Sequence, residues 1–332
     1  METKTITMKI VVIPPKQKLD YLAETIIEGL YKNNIDVYSS DLGNGIKEED
    51  VYSDEEIIEH SKNADYIFVI WGKIVRENRY GVHPEYPGPK YHLLDRINKI
   101  DKTVFIDGSE WTYTGYTEKG QLAATRAGDF SRRRGNPWIN ESMFEKSKWY
   151  FKRECYDEDI DRGLIPLLFG SVDRNFFNGS VEKKYDIFCS YGHLNDGLRA
   201  ETFNVCRKLK DEGYSVVLDR GLSYEVFKEK LASSWIGIDA WGGGDCCARL
   251  WEILANKTMA MTQTYNIKFP NDFTDGKNIV KYENIDEFET KIRSYLKYKE
   301  EIKRISDNGY QYLLDFHTSE KRVKYILDII NE

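Results

Sequence analysis

The chain has 332 residues, 41% of them hydrophobic, a length expected to divide into two domains of about 150 residues rather than fill one core. Its net charge of −7 argues against a generalised nucleic-acid or membrane-surface binder. No run of eighteen apolar residues occurs, and METKTITMKIVVIPPK has too short an apolar stretch for a signal peptide, so a soluble, cytoplasmic protein is expected.

Residues 9–13 read as a buried strand, after which Leu19, Leu22, Ile26, Ile27 and Leu30 recur at the spacing of one helical face. A short strand is expected near 35–38, a helix over about 54–62, and strands at 66–70 and 103–106 with a helix near 91–99 between them. Alternation of this kind predicts a parallel α/β sheet. His83 lies in the proline-bracketed loop GVHPEYPGP, as a catalytic group or simply a solvated one. Asp107 and Glu110 follow the 103–106 strand at its carboxyl end, where open α/β sheets collect ligands; an aspartate shaping the DGS turn is the alternative. From 108 to 148 periodicity is lost while Trp111, Trp138 and Arg132-Arg133-Arg134 accumulate, side chains suited to stacking on rings or holding phosphates, or to a basic surface loop.

The run DEDID at 157–161 has the D-x-D spacing of a divalent-metal site, but its polar setting reads as a solvated turn. After a strand near 164–169, the polar segment SVDRNFFNGSVEK marks a join between 170 and 183. The pattern then restarts with a strand at 185–189, the loop SYGHLNDG, a helix to about 211, a strand at 214–218 and a helix near 224–233. Next, in WIGIDAWGGGDCCARLWEILANKTMAMT, an apolar run feeds Gly242-Gly243-Gly244, and Asp245 is placed to cap a helix carrying Cys247, Leu250 and Leu254 on its inward face. Glycines there let a ligand approach the backbone, and a helix N-terminus with Arg249 one turn along suits a diphosphate. Glu252 is positioned to accept hydrogen bonds from ribose hydroxyls; a surface Arg–Glu pair is the alternative. A helix over 286–305 and a terminal helix marked by Val323, Ile326, Leu327 and Ile330 complete the pattern. Five cysteines without CxxC spacing read as reduced, mostly packing residues, and five histidines show no ligand spacing, so no metal site is expected.

From about residue 185 onward the chain resembles GT-B glycosyltransferases, particularly the spore-maturation-protein-like group with a "glycosyl transferases group 1" C-terminal half. The resemblance is carried by R-x-x-E in ARLWEILANKTMAMT, by FTDGKNIVKY and by NGYQYLLDFHTSEKRVKYIL, with looser similarity in VFIDGSE, KSKWYFKRE and LIPLLFG. It implies an α/β protein of two Rossmann-like domains facing across a cleft, with a C-terminal helix packing back on the N-terminal domain. The expected domains run 1–172 on the acceptor side and 173–314 on the nucleotide-sugar side, with 315–332 as the returning helix. It further implies sugar transfer from a nucleotide-sugar co-substrate, expected to be a UDP-sugar, with no other cofactor and no metal. The acceptor hydroxyl would belong to a polysaccharide, a protein, a small molecule or a modified nucleobase. Donor binding would fall to Ser190, Gly192, Arg199, Gly243, Gly244, Arg249 and Glu252, catalysis to Glu110, Asp107 or His83, and acceptor contacts to Trp111 and Arg133. Many retaining relatives carry an acidic residue eight positions before the glutamate; here that position is Gly244, with Asp245 next to it, which leaves the stereochemical course open. The opening KKYDIFCSYGHLND also resembles a Toll/interleukin-receptor-type domain, NAD-binding or NAD-cleaving, with a likeness that fades after Glu252. A catalytically silent nucleotide-binding protein is a third reading.

Overall fold

The computed structural model describes residues 7–16, 20–71, 77–78, 81–82, 89–108, 140–192, 197–241 and 245–332. The first half runs β1 (Lys9–Ile13), α1 (Tyr21–Lys32), β2 (Asp36–Ser39), α2 (Asp54–Asn63) and β3 (Tyr66–Trp71). A short antiparallel ribbon, β4 (Glu77–Asn78) and β5 (Gly81–Val82), precedes α3 (His92–Ile97) and β6 (Thr103–Asp107). It ends with α4 (Glu141–Lys146), β7 (Trp149–Lys152), α5 (Asp157–Asp161) and β8 (Ile165–Pro166). Six of these strands form one parallel sheet in the order β2-β1-β3-β6-β7-β8.

The second half contains β9 (Tyr185–Phe188), α6 (Leu198–Asp211), β10 (Val216–Val217), α7 (Tyr224–Ala232), β11 (Ser234–Asp239), α8 (Ala248–Ala255), β12 (Met259–Gln263) and β13 (Val280–Tyr282). Its sheet is also parallel, in the order β10-β9-β11-β12-β13. Three helices follow: α9 (Ile285–Tyr295), α10 (Lys299–Phe316) and α11 (Ser319–Ile330). Central strands are apolar on both faces because helices cover both; Ile67, Phe68, Val69 and Ile70 are all fully buried. α1 starts where the Asp20 carboxylate accepts from the amides of Leu22 and Ala23, and it buries Leu22, Ile26, Ile27 and Leu30 along one stripe. Leu19 lies outside the described residues.

The terminal helix returns to the first half, as expected. α11 packs on α1 so closely that a Cβ on Gly29 would lie 2.2 Å from the Ser319 carbonyl oxygen, and the Tyr66 hydroxyl donates to the Ile330 carbonyl at 3.1 Å. One buried cluster runs from Ile10 and Phe151 through Trp251 and Phe269 to Leu313 and Ile326, so the halves share apolar packing.

Three expectations are corrected and one strand is added. The single helix over 286–305 is two helices, and the six-residue step from buried Leu296 to buried Ile302 breaks the three-and-four spacing at that corner. The strand expected at 164–169 pairs only over Ile165–Pro166, because its partner β7 ends at Lys152, whose carbonyl takes the last bond from the Leu167 N–H at 2.9 Å. DEDID forms the short helix α5, whose other four residues are exposed as a solvated turn would have them, but Asp159 is fully buried 3.9 Å from Lys152 Nζ. The KSKWYFKRE segment holds β7, a strand the sequence pattern did not declare.

Candidate functional site

The carboxyl ends of β9 and β11 and the starts of α6 and α8 converge on a cavity of about 330 Å³. The position of α8 follows from its sequence. Leu250, Ile253 and Leu254 are fully buried, each side chain contributing about 1.5–3 kcal/mol, and they hold the helix on the sheet. Gly237 on β11 permits that approach, since a Cβ there would meet the Ile253 side chain at 2.8 Å. The remaining face of α8 presents Arg249 and Glu252 to the cavity, beside Gly192, Arg199, Tyr224 and Asp239. No acidic residue occupies the first turn of α8, so its amide dipoles are not offset there.

Arg249 and Glu252 are paired on the cavity wall, with Nε donating to Oε2 at 3.1 Å. A second Arg249 N–H donates to the Ser190 carbonyl, and the guanidinium lies 4.6 Å from the centre of the Phe227 ring. Glu252 Oε1 accepts from the Tyr224 hydroxyl at 3.3 Å, and that hydroxyl also reaches Asn175 Oδ1 at 3.0 Å. Burial, reinforced by the Glu252 charge, pushes the Tyr224 phenol upward, so it stays a hydrogen-bond donor at neutral pH. Arg199 donates through Nη2 to the Ala240 carbonyl at 2.9 Å, over the Tyr191 ring at 5.0 Å. The first half supplies Tyr21, held beside Arg174, whose guanidinium grips Glu24 through two bonds of 2.6 and 2.7 Å.

The fold therefore brings together four separately predicted positions, Gly192, Arg199, Arg249 and Glu252. Ser190 sits beside them: its hydroxyl is committed to the Asp219 carbonyl at 2.6 Å, and its own carbonyl holds Arg249. Asp107 is not on this wall; it is fully buried and accepts from the Tyr150 hydroxyl at 2.7 Å. His83, Glu110, Trp111, Arg133, Gly243 and Gly244 lie outside the described residues. Asp245 does not cap α8. Cys247 takes the N-cap position, while buried Asp245 donates its backbone N–H to Glu154 Oε2 of the first half at 3.0 Å. For the same reason Cys247 borders the cavity instead of the inward face. All five cysteines are free thiols, four of them buried. The Arg–Glu pair is real, yet it faces the cavity rather than open surface.

Sequence reasoning missed Tyr21, Tyr224 and Asp239. Asp239 had a signal, since a charge closing the apolar run WIGID at the carboxyl end of a strand is out of place in a core. Its Oδ2 accepts from the Thr262 hydroxyl at 2.8 Å. Burial raises its pKa to about 6, against the Thr262 hydrogen bond and the charges of Arg199 and Arg249.

With this geometry in view, residues 224–328 match the model of the family described as "Glycosyl transferase-like". No curated protein matches the chain. Among solved structures, an alpha-glucosyltransferase in complex with UDP and a 13-mer DNA aligns over 98% of this chain and 100% of its own, with TM-score 0.61 and 14% identity. Anabaena Alr3699/HepE in complex with UDP aligns over 98% and 100%, with TM-score 0.54 and 9% identity. A glycosyltransferase from Rickettsia africae aligns over 98% of both chains, with TM-score 0.53 and 10% identity. At these identities the likeness is one of fold. Both sheets are included, so the chain adopts the GT-B arrangement of two Rossmann-like domains facing across a cleft. The family match covers α7, β11 and α8, which build half of the cavity wall.

Proposed function

We propose that the chain is a metal-independent GT-B glycosyltransferase that takes a hexose from a UDP-sugar to an acceptor hydroxyl. The observation that carries this reading is the cavity in which Gly192, Arg199, Arg249 and Glu252 stand together at the start of α8. Solved structures sharing the fold were obtained with UDP, which supports the choice of nucleotide. The diphosphate would lie against the α8 N-terminus with Arg199 and Arg249 supplying the counter-charge, and as the sugar departs those guanidiniums would stabilise the charge growing on the leaving phosphate. Glu252 would accept from the ribose hydroxyls, because a carboxylate offers about four acceptor sites and Arg249 and Tyr224 occupy two.

The domain roles follow: 1–172 for the acceptor, 173–314 for the donor, and 315–332 fastening the second to the first. Trp111 and Arg133 are the proposed acceptor contacts, and Glu110 or His83 the proposed base. Asp107 qualifies only if Tyr150 releases it. One fold neighbour was solved with DNA, so a modified nucleobase belongs among the acceptors to be tried. FTDGKNIVKY and NGYQYLLDFHTSEKRVKYIL support the spore-maturation-protein-like subgroup, and the five free thiols suit a reducing, cytoplasmic setting.

Thermal stability with UDP, GDP, dTDP, CMP and NAD tests the reading. A nucleotide at a hundred times its Kd adds about 2.7 kcal/mol, and UDP is expected to give the largest gain. Stabilisation by NAD alone would favour the Toll-type alternative, and no stabilisation by any nucleotide would sink the donor site.

A further inference from the structure

Asp239 ends β11 at the floor of the cavity and is 2% exposed. Its Oδ2 is satisfied by Thr262 at 2.8 Å, but Oδ1 has no hydrogen-bond partner. Neither cavity arginine donates to it: Arg199 engages the Ala240 carbonyl and the Cys247 sulfur through Nη2 while its Nε has no partner, and Arg249 engages Glu252 and the Ser190 carbonyl. A buried carboxylate oxygen left without a donor lowers stability, and most buried polar atoms avoid that state. Asp159 also has one unpartnered oxygen, but Lys152 stands 3.9 Å from its other oxygen, and Asp159 is not on this cavity's wall. Among the described residues, Asp239 is thus the carboxylate that combines an unpartnered oxygen with a place in the site.

We infer that Asp239 determines donor specificity, its Oδ1 accepting a hydrogen bond from a hydroxyl of the sugar that is transferred. The inference rests on the nucleotide-sugar reading above. Its pKa of about 6 leaves Asp239 mostly ionised at neutral pH, and an ionised carboxylate only accepts. A phosphate oxygen has no proton to give and carries like charge, so it does not complete this atom; a hydroxyl does, in a charge-assisted bond. Glu252 already answers for the ribose in the proposed reading, which leaves the hydroxyls of the second sugar for the second carboxylate.

The test compares UDP with whichever of UDP-glucose, UDP-galactose and UDP-N-acetylglucosamine binds tightest, by calorimetry on wild type and Asp239→Asn. The variant is expected to bind the UDP-sugar about ten- to a hundredfold more weakly while its UDP affinity stays within about twofold. It should also unfold at higher urea in the absence of nucleotide, because the site no longer buries a carboxylate with one oxygen lacking a donor. Equal losses for UDP and UDP-sugar, or no loss for either, overturn the inference. A second arm needs no substitution: donors lacking one sugar hydroxyl each, offered to the wild type, should include one that binds at least tenfold more weakly than its parent. If every deoxy donor binds like its parent, the inference fails even though UDP binding, and with it the donor site, stands. If wild type binds neither UDP nor any UDP-sugar, the nucleotide-sugar reading itself has failed.

Discussion

The carboxyl ends of the two sheets are both rich in polar side chains, and they treat them in opposite ways. In the first half, Lys152, Arg153, Glu154 and Asp159 are fully or almost fully buried and are tied to one another and to the backbone. Lys152 Nζ donates to the Glu154 carbonyl at 2.6 Å, Arg153 Nη2 to the Cys246 carbonyl at 2.8 Å, and Glu154 Oε2 accepts from the Asp245 amide at 3.0 Å. In the second half the corresponding end opens into the cavity, with Arg249 and Arg199 on its wall and an unpartnered oxygen on Asp239. Charge that is closed off by other protein groups holds the halves together. Charge left facing a cavity is available to a ligand.

The sharpest way to break the first kind is Arg153→Ala. The guanidinium is buried, 4.1 Å above the Phe169 ring and 3.5 Å from Glu154 Oε1, so its removal takes the cation from beside a buried carboxylate and the donor from the Cys246 carbonyl. A loss of about 3–5 kcal/mol is expected in urea unfolding. The cavity arginines remain, so UDP affinity of the folded variant should fall less than in Arg249→Ala. A larger loss of UDP binding would mean that the sealed cluster is part of the donor site.

Asp239 tests the second kind through pH. Its pKa in the folded chain, about 6, stands above the ordinary 3.8. The folded state therefore holds this proton more tightly than the unfolded one, and the associated stability is fully present below about 3.8 and lost as pH rises through about 6. The difference corresponds to about 3 kcal/mol. Asp239→Asn should abolish that loss, so the stability gap between variant and wild type widens between pH 4 and 7. A gap that stays constant across the range would show that Asp239 keeps an ordinary pKa.

Arg249→Ala comes next, with an expected loss of about 1.5–3 kcal/mol in UDP binding, because a charge-assisted partner of the diphosphate disappears. Calorimetry on the folded variant checks it. Unchanged affinity would take Arg249 out of the site and return it to a structural partner of Glu252.

These contrasts follow the limits of what the sequence made legible. Apolar runs such as YIFVIW and WIGID announced strands because both faces are covered, and the i,i+3 spacing of Arg249 and Glu252 announced one helix face. β7 was hidden because WYFK and the following Arg-Glu carry charges that belong on a surface unless a distant partner buries them. The role of Asp245 was hidden likewise: its partner Glu154 is 91 residues away, and local cap chemistry cannot register a long-range competitor. Tyr21 enters the cavity from the other half, which no local pattern encodes.

The smallest expected effect separates the two meanings of the Arg249–Glu252 pair. Glu252 is 5% exposed, accepting from Arg249 at 3.1 Å and from Tyr224 at 3.3 Å. Glu252→Gln keeps the size but removes the charge, and its amide carries two donors that cannot serve ribose hydroxyls as acceptors. If Glu252 reads the ribose, UDP should lose about 1 kcal/mol, roughly fivefold in Kd, while inorganic pyrophosphate, which has no ribose, loses less. If the carboxylate serves only to aim Arg249, both ligands depend on the same guanidinium and must weaken by the same factor. Titrating the variant with UDP and with pyrophosphate in one buffer at fixed salt decides between them, because screening of the exposed charges is then common to both and cancels in the ratio.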